Sequence, residues 1–401
     1  MDINAARQAV IDAGNMLVEK GLTSRTWGNV SCRIDEKSFV ITPSGKPYSS
    51  LTPDMLVKVD IESLEYEGNL KPSSEKGVHA AVYKARPEMN FVIHTHQTNA
   101  SAMSALGNPI KYIPAPMAEA LGSIVPYAGY GLPGTKKLIA MVAEALKNND
   151  ARALIMSHHG ALCFGEDSQR TFETASVLEE VSALQLLTQF KKMYDEDAED
   201  LAQMVALIDK KENASAAKPG PKVTSERRGN SFVITEEGES FTLDLDSRKS
   251  NDEKDLPPYA TLHRAIYQNR PDINNIIHSY APEILALSNF DTALKPQVDD
   301  FAQIVGPDCK TAKERGGDFD SFAKGSLKAF KGRNAFFIKG KGAFCCGANE
   351  DDSEAIEEIL QKNSLAFLGT KLFNFYQPIS PVEARLMRFV YLKKYSKQAQ
   401  K

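Results

Sequence analysis

EKGVHAAVYKARPEMNFVIHTH, residues 75–96, is answered further along the chain by YATLHRAIYQNRPDINNIIHSY, residues 259–280. The two stretches run in step without a gap, so that His79 and His94 fall on His263 and His278. Upstream, SFVIT at 38–42 recurs unchanged at 231–235, and downstream IMSHHGALCFGEDSQ (155–169) is matched by FIKGKGAFCCGANED (337–351). Each copy closes on a long helical pattern, FETASVLEEVSALQLLTQF in the first and SEAIEEILQKNSLAFLGTKLF in the second. Similarity of this length marks the duplication of a whole domain rather than a short solenoid unit. Two domains are therefore expected at 1–211 and 227–401. A linker is expected at 212–226, where the sequence is rich in Lys, Ala, Pro and polar residues and shows no apolar period.

Within the first copy, SFVIT, FVIHTH and ALIMSHHGALCFG are short β-rich runs bounded by turn residues. HAAVYKARP reads as an amphipathic helix stopped by Pro87, and Asp167 as the cap of the closing helix. Each copy is thus expected to be a layered α/β domain, with a central, largely antiparallel sheet and flanking helices.

A chain of 401 residues is long enough for two such cores. Its formal charge of −4 is too balanced to argue for nucleic acid or an anionic membrane surface, so any phosphate must be held by local loops. No apolar run reaches the length of a membrane span, and the N-terminus reads as an amphipathic helix rather than a signal peptide. Five cysteines without secretory context are expected to stay reduced and buried, in a cytoplasmic protein.

Five of the seven histidines lie between positions 79 and 159. On a strand, residues two apart share a face, so His94 and His96 stand side by side. His159, on another strand-like run, can close a tripod with them around one cation. The alternative is a pair of hydrogen-bonded, half-buried histidines. The second copy decides between these readings, because it carries Tyr280 for His96, Lys341 for His159 and Tyr259 for Glu75. A protonated lysine cannot ligate a divalent cation, and residues lost as a set are most simply explained by one shared job. Beside such a cation, Glu75 becomes a candidate general base or acid. His79 persists in the copy that lost the rest and reads as a packed, hydrogen-bonded scaffold residue. His158, next to His159 on a strand, is expected to face the opposite way.

Three turn-rich segments suit a phosphate: Gly28-Asn29-Val30-Ser31, Thr42-Pro43-Ser44-Gly45-Lys46, and Ser73-Ser74 at a helix start. In the second copy, Thr-Pro-Ser-Gly becomes Thr-Glu-Glu-Gly (235–238) and the serine pair becomes Pro257-Pro258. Anion loops and histidines were lost together.

In order and at the same spacing, Gly28-Asn29, Thr42-Pro-Ser-Gly, Ser73-Ser-Glu, His94-x-His96 and His159-Gly160 resemble the class II aldolase/adducin-domain family, of the L-fuculose-phosphate aldolase type. The resemblance spans essentially residues 1–200, and the second copy resembles the same domain stripped of its functional residues. It implies that His94, His96 and His159 hold Zn²⁺ and that Glu75 acts on the substrate carbon acid. Gly28, Asn29, Ser44, Gly45, Ser73 and Ser74 would then hold the phosphate of a small sugar-phosphate substrate. The implied reaction is retro-aldol cleavage of a phosphorylated ketose to dihydroxyacetone phosphate and an aldehyde. Sugar-phosphate 4-epimerases, which typically carry Asp at the Glu75 position, and decarboxylases of phosphorylated 3-oxo acids share the scaffold. A non-catalytic adducin-like binding role better describes residues 227–401. The tyrosine that family aldolases use on the aldehyde oxygen is missing from Ile113–Glu119, which leaves Tyr127, Tyr130, Tyr391 and Tyr395 as candidates. The family's four-fold rings imply that a homodimer of this tandem chain forms a pseudo-four-fold ring.

Overall fold

A computed structural model describes residues 1–23, 27–194, 220–246, 256–257, 259–290, 292–312 and 319–395. The chain divides into two compact units. One comprises Met1–Met193, Gly369–Gln377 and the described residues from Leu392 onward, and the other Tyr194–Leu368 with Pro378–Tyr391. Among the described residues no helix is long and apolar enough to cross a membrane, and all five cysteines are buried and unpaired.

The first unit opens with α1 (Ile3–Glu19), whose Asp2 side chain accepts from the backbone N–H groups of Asn4 and Ala5. Its sheet is built from β1 (Asn29–Arg33), β2 (Ser38–Ile41), β3 (Val57–Asp60), β4 (Tyr66–Glu67), β5 (Phe91–Thr95), β6 (Tyr127–Ala128), β7 (Ala153–Met156) and β8 (Gly160–Gly165). The strand order is β4-β3-β2-β1-β5-β8-β7-β6, antiparallel except for the β6–β7 pair. Between them run α2 (Lys76–Ala85), α3 (Thr98–Ser104), α4 (Ala115–Leu121) and α5 (Lys136–Ala145), and α6 (Ser168–Tyr194) closes the copy. Val78 and Val82 of α2, with Leu138 and Val142 of α5, pack onto Phe39, Val59, Val92, Leu154 and Phe164 of the sheet. Each such side chain contributes roughly 1.5–3 kcal/mol when fully buried. As read from the sequence, α2 ends just before Pro87, and Asp167 Oδ1 caps the first turn of α6 by accepting from Arg170 N–H at 2.8 Å.

The second unit repeats the plan: β9 (Val223–Arg228), β10 (Ser231–Glu236), β11 (Glu239–Asp244), α7 (Ala260–Asn269), β12 (Asn275–Ser279), α8 (Pro282–Leu287), α9 (Asp299–Ile304), β13 (Thr311–Ala312), α10 (Phe319–Phe330), β14 (Ala335–Ile338), β15 (Ala343–Gly347), α11 (Glu350–Leu372) and α12 (Pro381–Val390). Among the described residues, the order β11-β10-β9-β12-β15-β14-β13 matches the first sheet position for position, without an equivalent of β4, and only β13–β14 is parallel. Two α/β units with largely antiparallel sheets are what the sequence led us to expect.

One buried framework is common to both units. Ser31 Oγ lies 2.6 Å from His79 Nδ1 and 2.7 Å from the Tyr83 hydroxyl. Ser225 Oγ makes the same pair of contacts with His263 Nδ1 and Tyr267, at 2.7 and 2.8 Å. Arg33 stacks on the Tyr83 ring at 4.7 Å, and Arg227 on Tyr267 at 5.0 Å. Each guanidinium donates to backbone carbonyls at the end of the helix that carries its tyrosine. This Arg-Tyr-Ser-His set ties the first helix after the hairpin strands to the centre of each sheet.

Three boundaries differ from expectation. Residues 223–226, placed in the linker, belong to β9, which pairs with β10 and β12. Its polar sequence hides a period of two in which Val223 and Ser225 are the buried positions. Of the rest of the expected linker, 212–219 lies outside the described residues and 220–222 carries no regular secondary structure. ALIMSHHGALCFG is two strands rather than one run, with Ser157–His159 forming the turn between β7 and β8. Finally, Gly369–Gln377, at the end of the second repeat, belongs to the first unit. There the Phe375 ring fills the space beside Gly107, Leu106 and Leu186 surround Gly369, and Gln189 donates to the Leu372 carbonyl at 3.2 Å.

Burial pushes the His79 and His278 rings down from their ordinary value to about 4, and pushes His263 in the same direction. Each is neutral in the folded chain at pH 7, whereas the unfolded chain titrates near 6.5. Their contribution is fully present above about 6.5 and is lost as the pH falls toward 4, because the unfolded state then binds protons that the folded state refuses. Urea unfolding at stepped pH is expected to show a loss on the order of 3 kcal/mol for each of His79 and His278 across that window. A flat profile would show that these rings take up protons in the folded chain as readily as in the unfolded one.

Candidate active site

The chemistry gathers at one end of the first sheet, where β1 and β8 begin and β2 and β5 end. Asn29 stands directly opposite His94 in the β1–β5 register, and β8 lies on the other side of His94. This crossing needs glycine at 28: φ is +77°, and a Cβ would lie 2.5 Å from the His94 carbonyl oxygen. It needs glycine at 160 as well, because a Cβ there would run into the Thr95 carbonyl oxygen.

The structure brings the three expected histidines together. His94, His96 and His159 are all buried, and each offers one ring nitrogen within 4.8 Å of the others. The His94 and His159 rings stack at 4.7 Å with a 4° interplanar angle, and His96 meets both edge-on. His94 Nδ1–H donates to the Ala161 carbonyl at 2.9 Å, which fixes the tautomer and turns the Nε2 lone pair inward. His96 Nε2 lies 2.9 Å from that nitrogen. A tetrahedral metal bound at 2.0–2.1 Å would set such nitrogens about 3.4 Å apart. The observed span brackets that separation, and the donor set is the one zinc favours. The residues fit the ion. Burial holds His94 well below its ordinary value despite the nearby Glu75 carboxylate, and the neighbouring His96 and His159 add to this, so the ring is a neutral ligand type.

Glu75 occupies the capping position of α2, yet its carboxylate makes no capping hydrogen bond. Oε1 accepts from His159 Nε2 at 2.9 Å, and Oε2 accepts from Asn29 Nδ2 at 2.9 Å and sits 3.3 Å from His94 Nε2. Burial opposes the charge, but the N–H donors of His159 and Asn29 favour it, and the carboxyl is held well below the usual carboxylate range. The reading of Glu75 as a mere helix-start residue does not account for this geometry.

The proposed anion segments converge as well. Ser73 N–H donates to the Thr42 carbonyl at 3.0 Å and Ser44 N–H to the Lys71 carbonyl at 2.9 Å, which knits the loop with Ser44 and Gly45 to the loop with Ser73 and Ser74. Gly45 takes φ +69°. Glu75 N–H donates to Ser73 Oγ at 3.2 Å. The loop between β6 and α5 packs Gly134 against Ser74. Asn29 is placed differently from the others, because its side chain is bonded to Glu75 and to His79 Nε2.

His158 is not a strand residue facing away. It sits in the turn at φ +56°, half-buried, with the edge of its ring against Tyr130. The second copy has Gly340 at the matching place in its turn, at φ +68°. Of the candidate tyrosines, Tyr127 donates to the Ser104 carbonyl at 2.8 Å, Tyr130 adjoins His158, and Tyr391 and Tyr395 lie in a short turn after α12.

The second copy fills the equivalent space with rings. His278 has turned over, so that Nε2–H donates to the Lys341 carbonyl at 2.7 Å. Phe344 stacks on it at 4.4 Å, and Tyr280 and Tyr259 pack at 4.4 and 5.3 Å. Opposite His278 in the register stands Val223 instead of an asparagine.

The class II aldolase and adducin N-terminal domain family matches residues 8–186 and, a second time, 213–362. An L-fuculose phosphate aldolase of Escherichia coli O6:H1 is 36% identical over 188 residues, covering 47% of this chain and 86% of that protein. A 5-methylthioribulose-1-phosphate/5-deoxyribulose-1-phosphate aldolase of Escherichia coli O45:K1 is 35% identical over 177 residues, with 44% and 81% covered. An L-ribulose-5-phosphate 4-epimerase of Salmonella paratyphi B is 31% identical over 189 residues, with 44% and 82% covered. The chain belongs to the class II aldolase and adducin N-terminal domain family and carries that domain twice.

Proposed function

We propose that the first copy is a zinc-dependent aldolase that cleaves a phosphorylated ketose to dihydroxyacetone phosphate and an aldehyde. The observation that carries the reading is the Glu75 carboxylate, buried against His159 and His94 within the three-histidine cluster. A divalent cation held by His94, His96 and His159 would supply Lewis-acid stabilisation of the negative charge that develops when the C3–C4 bond breaks. In the condensation direction the Glu75 carboxylate removes the C3 proton of dihydroxyacetone phosphate; in cleavage the same group, having taken up the proton released from the C4 hydroxyl, returns it to C3. Gly28, Ser44, Gly45, Ser73 and Ser74 hold the phosphate, so that binding energy becomes orientation of the reacting end. The carbonyl of Ala161 keeps the His94 ring turned inward throughout.

Metal analysis is expected to give one divalent ion per chain, and His96→Ala to abolish both metal and activity. Two ions per chain, or none, would refute the assignment. Glu75→Gln is expected to keep the metal and lose about 10²–10⁴ in kcat. Near wild-type turnover would return Glu75 to a structural role.

Ser74→Ala is expected to raise KM for phosphorylated ketoses, with kcat much less affected. Equal turnover of an unphosphorylated sugar would refute the anion loops. A panel scored both for dihydroxyacetone phosphate release and for epimerisation at C4 separates the aldolase from the epimerase reading.

A further inference from the structure

The scaffold reading of His79 explains only one of its two ring nitrogens. Nδ1 belongs to the framework that both units share, but Nε2 points the other way, to Asn29 Oδ1 at 2.5 Å. The Asn29 amide then donates through Nδ2 to Glu75 Oε2 at 2.9 Å. We propose that His79 is a positioning residue for the Glu75 carboxylate, acting through the Asn29 amide. This rests on Glu75 being the group that moves the proton.

The Asn29 amide sets the direction of each link: its donor, Nδ2, faces Glu75 Oε2, and its acceptor, Oδ1, faces His79 Nε2. An amide oxygen only accepts, so His79 must carry its proton on Nε2. The neutral ring then accepts at Nδ1 from the Ser31 hydroxyl, which in turn accepts from Tyr83. Ser31, His79 and Tyr83 are at most 1% exposed, and Asn29 and Glu75 are 4% and 7% exposed, so little water competes for these bonds.

An asparagine amide alone does not choose its sense, because rotation about χ2 exchanges oxygen and nitrogen. Oxygen toward Glu75 would set two acceptors against each other. The His79 donor removes that choice, since only Oδ1 can face it. The carboxylate is thereby held at Oε2 and rotationally fixed, with Oε1 directed at His159.

The second unit supplies the comparison. It keeps the shared framework but has Val223 for Asn29 and Tyr259 for Glu75. Among the described residues His263 Nε2 has no hydrogen-bond partner, and the ring meets Phe344 edge-on at 5.0 Å. The fold therefore requires the Nδ1 side of this histidine and tolerates loss of the Nε2 side.

The test compares His79→Phe with His263→Phe in the full-length protein. Both remove the same serine contact, and similar losses in Tm are expected. His263→Phe is expected to keep wild-type kcat, whereas His79→Phe keeps one metal per chain and an unchanged KM but loses about 10² in kcat, the scale of a small misplacement of a reacting group. His79→Gln, whose side-chain amide can donate to Asn29, is expected to recover at least part of that loss. Equal kcat in the two phenylalanine variants would overturn the proposal while leaving the role of Glu75 intact; an active Glu75→Gln enzyme would instead overturn that role. Should His79→Phe not fold, ¹⁵N-histidine NMR of metal-free wild-type protein still decides. The Nε2–H tautomer with a slowly exchanging ring proton is expected for His79, and the Nδ1–H tautomer would overturn the chain of bonds.

Discussion

The Glu75 carboxylate is the constraint around which the first unit is arranged. A buried anion without partners costs several kcal/mol even after relaxation, so its presence dictates its neighbours. Asn29 must sit opposite His94 in the β1–β5 register to reach it, and Gly28 must let the chain pass close to the His94 carbonyl. His159 must be turned toward it from the β7–β8 turn, at the cost of a left-handed backbone at His158. The loops proposed to hold phosphate branch from the same points. The residues proposed as metal ligands, proton-transfer group and anion loops thus share one set of backbone positions.

The second unit shows what remains when that charge is taken away. Its sheet order and its Arg-Tyr-Ser-His framework persist, so these belong to the fold. Where the first unit holds a polar network, the second holds Tyr259, Tyr280 and Phe344 packed around an overturned His278. Replacing a buried ionic cluster by well-packed apolar groups is often neutral or stabilising. Nothing in stability then opposes the loss of such a site once its activity is no longer needed.

Much of this was legible in the sequence, for identifiable reasons. Strand alternation placed His94 and His96 together, and the differences between the copies singled out His159 and Glu75. The turn at Ser157–His159 was not legible, because nothing in SHHG announces a left-handed histidine. Strand β9 was hidden because its buried positions include a serine, which carries a framework hydrogen bond instead of apolar surface. Asn29 was read as a phosphate residue from its place in a turn-like segment. Its bond to Glu75 depends on which residues face each other across two strands and a helix, and that information is not local.

The transfer of Gly369–Gln377 to the first unit has a consequence for how such a chain can evolve. A duplicated gene ordinarily keeps the option of dropping one copy. Here the copy with the histidines draws part of its own packing, at Gly107, Leu106 and Leu186, from residues encoded after the other copy's last long helix has nearly finished. Deleting the second half would leave those side chains facing water. The first unit is complete only with residues that follow the second repeat, so the domain between them cannot be removed without taking part of the first unit's packing with it.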